Sequence, residues 1–278
     1  MFLGIGMSCN NDNGLKQLTK DAEMGDSLAQ FLLGKRYENG IGVPTDHTKA
    51  IEWYTKAAES GYTEASFHLG QYYEKNEGAI PTYTQAAEWY TKAAKQGHAK
   101  AQYHLGKCYG NGWGVQKDEE KAFEWYSKAA EQGLPEGIHL LGVYYRSGQG
   151  VPQNHEKAVE LFTKAAEMGY ADAQLFLGEC YYHGQGVPID YTKAVEWWTK
   201  AAEQGEYRAE HDLGECYFEG KGFEKNYSKA VEWYTKAAMK GHKGAQRRLG
   251  LCYANGWGVP PSKAKAQEWF NRAGVSYY

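Results

Sequence analysis

Residues 29–37 read Ala29-Gln30-Phe31-Leu32-Leu33-Gly34-Lys35-Arg36-Tyr37, and the same frame returns every 36 residues. The glycine recurs at Gly70, Gly106, Gly142, Gly178, Gly214 and Gly250. The leucine before it recurs at Leu69, Leu105, Leu141, Leu177, Leu213 and Leu249, and the tyrosine three residues after it at Tyr73, Tyr109, Tyr145, Tyr181, Tyr217 and Tyr253. Seven copies follow one another without insertion or deletion. A fixed period of this size is the mark of stacked supersecondary units. The 278 residues are therefore expected to form one quasi-linear array, not the two domains that length alone suggests.

Each unit divides into two helices. In helix A, Ala29, Leu33 and Tyr37 lie at i, i+4 and i+8, one apolar stripe at helical spacing. A glycine inside a helix costs about 1 kcal/mol against alanine. One kept in all seven copies points to close approach of the partner helix. A loop follows, Asn39-Gly40-Ile41-Gly42-Val43-Pro44 in the first copy, with glycine suited to a left-handed helix end and proline barring continuation. The second copy departs from it, with Asn76 and Gly78 at the loop glycines and Pro81 displaced by one. Helix B opens on Asp46, Thr82, Asp118, Asn154, Asp190, Asn226 or Ser262, all N-capping side chains. It then carries Trp53, Trp89, Trp125, Trp197, Trp233 and Trp269 (Leu161 in the fourth copy), each followed by a second aromatic residue. These pairs are expected to bury large areas between helices and between repeats. Every helix B but the last is read as stopping on a glycine, from Gly61 to Gly241.

Leu15 to Met24 match the second half of the later repeats, but Gln17 and Asp21 stand where tryptophan and alanine belong, as in a terminal capping helix. Leu3 and Gly4 are read as a degenerate earlier helix. The chain is thus divided into an N-terminal segment and capping helix (1–25), seven repeats (26–273) and a tail (274–278), with no obvious cap at the C-terminal end unless Tyr277 and Tyr278 fold back.

The unit Ala-x-x-x-Leu-Gly-x-x-Tyr, then Gly-x-Gly-Val-Pro, then Ala-x-x-Trp-Tyr-x-x-Ala-Ala and a closing glycine resembles the Sel1-like repeat family, kin of the tetratricopeptide repeat. The likeness covers residues 15–273. It implies an all-α fold, a right-handed α/α superhelix, and a role as a non-enzymatic adaptor for other proteins. A cysteine-rich branch of that family has paired cysteines in each repeat. Here Cys108, Cys180, Cys216 and Cys252 hold one position and occur at most once per repeat, so free thiols are expected. Neighbouring packed helices place such residues roughly 8–10 Å apart, beyond the ~7 Å a disulfide tolerates.

Net charge is −3, with no basic field to recruit nucleic acid. The apolar runs are too short for a membrane span, and the opening nine residues, ending at Cys9, lack the basic region of a secretory signal. Unpaired cysteines then suggest a cytoplasmic protein, or a secreted or periplasmic one if the N-terminus is truncated. Ser262-Lys263-Ala264-Lys265 fits Ser-x-x-Lys, but the companion motifs of penicillin-binding enzymes do not occur and Ser262 is a helix cap. An amide-hydrolysing or penicillin-binding activity is a further alternative. The Gly-x-Gly loops lack the strand and third glycine of a nucleotide site. His104 with Cys108, and Cys180 with His183, do not complete a zinc set. No catalytic, cofactor or metal residue is expected, and Asn226-Tyr227-Ser228 is one chance sequon.

Positions that vary between repeats are free for a partner. By analogy with tetratricopeptide arrays, helix A lines the concave face and binds a peptide or helix. Three rows follow. The first is Phe31, Phe67, Tyr103, His139, Leu175, His211 and Arg247. The second is Lys35, Gln71, Lys107, Val143, Glu179, Glu215 and Leu251. The third is Glu38, Glu74, Gly110, Arg146, Tyr182, Phe218 and Ala254, with His183 beside it. The first row either forms an exposed aromatic patch or packs between neighbouring A helices. The alternative to an adaptor is a structural array that self-associates weakly through its C-terminal end.

Overall fold

The computed structural model describes residues 6–75 and 80–275, with the backbone alone for 6–12, 80 and 81. Leu3, Gly4, the side chain of Cys9, the departing loop at Asn76 and Gly78, and Tyr277 and Tyr278 lie outside what is described. All regular structure among the described residues is helical. The chain divides at a repeat boundary into two compact units, one up to Leu134 and one from Pro135.

The first unit contains α1 (Gly6–Glu23) and three hairpins, α2 (Ser27–Asn39) with α3 (His47–Glu59), α4 (Thr63–Lys75) with α5 (Ile80–Lys95), and α6 (Ala99–Asn111) with α7 (Glu119–Glu131). The second contains four hairpins. They are α8 (Pro135–Ser147) with α9 (His155–Glu167), α10 (Ala171–His183) with α11 (Tyr191–Glu203), α12 (Tyr207–Glu219) with α13 (Tyr227–Met239), and α14 (Lys243–Asn255) with α15 (Lys263–Ala273). Within each unit a helix packs on its sequence neighbours, the arrangement of an all-α solenoid.

The helix A glycine is a seat for an aromatic ring of the same hairpin. A Cβ on Gly34 would come within 2.7 Å of the Tyr54 ring, and on Gly214 within 2.6 Å of Tyr234. Tyr90, Tyr126, Phe162, Trp198 and Phe270 sit the same way on Gly70, Gly106, Gly142, Gly178 and Gly250. Real Cβ contacts do not close below 3.0 Å, so any larger residue displaces the ring. The close approach read from the sequence is thus ring against backbone. The second loop glycine answers a different crowding: a Cβ on Gly114 or Gly258 would run into the carbonyl of Tyr83 or Tyr227 on the preceding helix B.

The tryptophans at the Trp53 position of helix B are half-buried. Trp89 packs against the cluster around Phe31 and Tyr54, and Trp125 against that around Phe67 and Tyr90. Their outer faces carry a lysine one turn on, Lys92 Nζ 3.7 Å from the Trp89 ring and Lys236 Nζ 3.9 Å from Trp233. Buried glutamines tie neighbouring repeats, Gln102 Nε2 donating to Ala94 O at 3.2 Å and Gln174 Nε2 to Ala166 O at 3.1 Å. Glu210 occupies this position in the sixth repeat and cannot donate. It pairs instead with Lys240 at 2.7 Å, where Gln132 and Gln204 serve the glutamines.

Helix B caps are as read at Asp46, Asp118, Asn154, Asp190, Asn226 and Ser262, each accepting from the backbone N–H three residues on. Thr82 is a correction. It lies inside α5, which opens earlier on Ile80-Pro81, because proline needs no N–H partner in a first turn. The last helix B is another: α15 also ends on a left-handed glycine, Gly274, sooner than the period predicts. The helix stands two residues shorter than its counterparts, 11 against 13. At the other end α1 occupies the place of a preceding helix B, packing Leu15, Leu18 and Ala22 on Ala29 and Leu33. Gln17 and Asp21 hydrogen-bond to each other on its exposed side at 2.7 Å.

Candidate partner-binding face

Helix A turns about 100° per residue. Measured from Leu33, residue 31 then lies about 160° round the helix, whereas 35, 28, 39 and 32 lie at about 200–260°. Helix B of the same repeat and the neighbouring helices cover everything up to residue 31. Phe31 and Phe67 are accordingly 4% and 5% exposed, and Leu175 and His139 are buried with them. The first row therefore packs between neighbouring helices and is not an exposed aromatic patch. Phe31, Phe67 and His139 are removed from the candidate surface. Tyr103 and His211 in this row are half-buried, and only Arg247 is exposed.

The second and third rows border the open face. Lys35 Nζ sits 5.1 Å over the Phe31 ring, and Lys107 lies over Tyr103 and Trp113. Glu74 gathers His104 Nδ1 at 2.9 Å, the Tyr90 hydroxyl and Lys107 Nζ at 3.8 Å. Burial alone would raise its carboxyl, but the hydrogen bonds from His104 and Tyr90 win and hold it at about 2. Val143 is half-buried, its carbonyl accepting from Ser147 Oγ at 2.9 Å, and His183 is exposed. Phe218 packs on Tyr227 and Trp257.

The sequence reading missed the row of residue 32, occupied in later repeats by His68, His104, Leu140, Phe176, Asp212 and Arg248. This row completes two pockets. In the first unit Glu38, His47, Tyr54, His68, Gln71, Tyr72 and Lys75 enclose about 340 Å³. Tyr54 donates to Glu38 at 2.8 Å and its ring stacks on His68, 5.8 Å between centroids. Burial, then the nearby Lys35 charge, lowers the His68 imidazole below its ordinary value. In the second unit Glu179, Tyr182, His183, Trp198, Asp212 and Glu215 enclose about 300 Å³. Tyr182, Trp198, Asp212 and Glu215 are the Glu38, Tyr54, His68 and Gln71 positions four repeats later. One backbone niche thus carries a histidine–glutamine–lysine lining in one unit and an acidic–aromatic lining in the other.

The matches to known proteins agree with this architecture. The Sel1 repeat model matches residues 27–62, 63–98, 99–134, 135–170, 171–206, 208–242 and 244–274. The chain belongs to the Sel1 repeat family. Its fold is similar to that of a protective antigen present in uropathogenic Escherichia coli strains, described as displaying an SLR fold. That match has a TM-score of 0.84 and 36% identity, covering 94% of this chain and 56% of that one. A Sel1 repeat protein from Oxalobacter formigenes is similar at a TM-score of 0.78 and 35% identity, over 96% of this chain and 77% of the other. The chain thus spans little more than half of the E. coli protein. Yeast Tom70 shares the fold alone, at a TM-score of 0.52 and 15% identity over 96% of this chain and 57% of that one. No curated protein sequence matches significantly.

Sel1 and tetratricopeptide-like arrays of this kind commonly mediate protein–protein interaction. Nothing in the described residues gathers a metal: no group of three histidine, cysteine or carboxylate side chains converges among them. Cys108, Cys180, Cys216 and Cys252 are buried free thiols. Burial pushes Cys108 and Cys216 up to about 12 and Cys180 and Cys252 up to about 11. Ser262 caps α15, and Lys265 Nζ points over the Tyr253 ring, 5.1 Å from its centroid. No described helix is long and apolar enough to cross a membrane.

Proposed function

We propose that this Sel1 repeat chain is a non-catalytic scaffold that holds an extended segment of a partner protein along the open face of its A helices. One observation carries the reading. The residues that build each hairpin repeat, while those on the open face vary along the array, from Leu32 through His68 and Phe176 to Asp212 and Arg248. A surface of constant backbone geometry and changing side-chain chemistry suits recognition of successive residues in a partner. The two pockets at one repeat position, with different linings, support the same reading.

The test begins with peptides selected from a displayed random library on the whole chain. Their binding is then measured to the wild type, to Gln71→Arg with Tyr182→Ala on the open face, and to Glu52→Lys with Glu232→Lys on exposed sites of helix B. The open-face variant should lose about tenfold or more in affinity and the helix B variant should not. Equal binding by all three, or a library that yields no binder, defeats the proposal. A rise in particle mass with concentration in light scattering would favour self-association instead.

A further inference from the structure

At each junction between neighbouring A helices of the second unit, the residue in the Tyr182 position of one repeat meets the residue in the Asp212 position of the next. At the first junction these are Arg146 and Phe176. The guanidinium lies 4.3 Å from the ring centroid, and its Nη1 donates to Glu179 at 2.8 Å. At the third junction they are Phe218 and Arg248. The guanidinium lies 5.3 Å from the ring, and its Nε donates to Glu215 at 2.6 Å. Both junctions hold a ring, a guanidinium lying over it and a glutamate that pairs with the guanidinium.

The middle junction has the ring, Tyr182, and both glutamates at its sides, but Asp212 stands where the third junction carries the Arg248 guanidinium. The pocket of about 300 Å³ opens there. Its lining includes three carboxylates and no lysine or arginine. Arg146 balances Glu179 and Arg248 balances Glu215. Asp212 meets His211 Nδ1 at 3.0 Å, and no lysine or arginine pairs with it among the described residues. Lys221 is committed elsewhere. It bonds Glu219 at 2.8 Å and the Tyr182 hydroxyl at 2.9 Å, and its ammonium lies 4.9 and 5.4 Å from the Tyr182 and Tyr191 ring centroids, outside the pocket lining. The Trp198 indole N–H is also used, donating to Leu175 O at 3.1 Å, so the floor offers a π surface.

We propose that this pocket receives an arginine side chain from the partner, its guanidinium lying on Tyr182 and pairing with Asp212. The charge complement is one cation, and the planar fork suits ring and carboxylate together as an ammonium does not. The chain combines ring, guanidinium and glutamate twice with its own arginines, on either side, with ring and guanidinium exchanged between the two junctions. The proposal rests on the scaffold reading for the source of that arginine.

The experiment uses the full chain, ¹⁵N-labelled, with N-acetylarginine N-methylamide as probe and its citrulline counterpart, which keeps the shape and removes the charge. The readout is the Trp198 indole resonance, identified with Trp198→Phe. The arginine probe should move it saturably and at least about tenfold more tightly than citrulline, a difference of about 1.4 kcal/mol. Asp212→Asn should erase that preference. Asp212→Arg repeats the register of Arg248; it should fold with an undiminished melting midpoint and bind no probe. Equal shifts from both probes, no shift from either up to their solubility limit, or full preference in Asp212→Asn would overturn the proposal. The library peptides separate the two readings. Open-face binders indifferent to an arginine-to-citrulline exchange sink the arginine proposal and leave the scaffold standing. A saturable arginine shift with no peptide binder does the reverse.

Discussion

Alanine at Gly142 tests the ring seat that every hairpin shares. A Cβ there would stand 2.7 Å from the Phe162 ring and 3.3 Å from the Ala158 carbonyl oxygen. Phe162 is fully buried, so the ring has little room to retreat. Overpacking of this kind costs about 1–3 kcal/mol, and a site closed by backbone belongs in the upper half of that range. Exchanging glycine for alanine inside a helix returns about 1 kcal/mol. The net expectation is a loss of about 1–2 kcal/mol, or roughly 2–8 °C in melting midpoint. Gly14→Ala is the control. It lies in α1, its Cβ would meet nothing within 4 Å, and the variant should gain up to about 1 kcal/mol. In a Phe162→Leu background Gly142→Ala should become neutral or stabilising, a coupling of about 1–2 kcal/mol by double-mutant cycle. Thermal denaturation followed by circular dichroism measures all four. A Gly142→Ala protein as stable as the wild type, or additive changes in the cycle, would refute the ring-seat account.

Asn154→Ala removes the cap that accepts from Lys157 N at 2.8 Å and should cost about 1 kcal/mol in chemical denaturation, whereas Asn154→Asp should cost little. His139 is buried among Phe162, Tyr170 and Phe176, and burial lowers its imidazole to about 4, with Arg146 and Arg208 opposing the nearby Asp172. The unfolded chain takes up this proton near 6.5 and the folded one does not until about 4. Stability should therefore be full above pH 6.5 and fall by up to roughly 3 kcal/mol as pH drops towards 4, a slope that His139→Phe should flatten. Cys108, Cys180, Cys216 and Cys252 should resist iodoacetamide at pH 8 in the native protein and react in denaturant, as mass spectrometry would show; native labelling of any of them contradicts its burial.

The repeat was legible because seven copies average out the noise of any one. Trp53 and Leu161 differ, but the frame around them does not. Helix B boundaries were legible through their caps, and the exception at Thr82 arose because Ile80-Pro81 offers a helix start of its own. Helix A starts gave less signal. His98, His242 and Glu206 cap them with side chains that seldom announce a boundary. The open face was placed about one residue-step wrong. A single apolar stripe suggests a face directly opposite, yet helix A is packed on more than half its circumference, so the exposed sector is rotated towards residues 32 and 39. Phe31 and Phe67 look like a docking patch in sequence because the core and a binding surface use the same residue types. The arginine-shaped gap at Asp212 was invisible for another reason: it is defined by residues of two repeats and by what their neighbours carry.

The ring seats lie within single hairpins, and each hairpin otherwise leans on the next in sequence. Within a unit, then, almost nothing connects distant parts of the chain. Under tension such a chain should yield in small, nearly equal steps, one hairpin at a time, and recover each as soon as the load drops. The load it bears would be set by its weakest hairpin, not by the sum of them all.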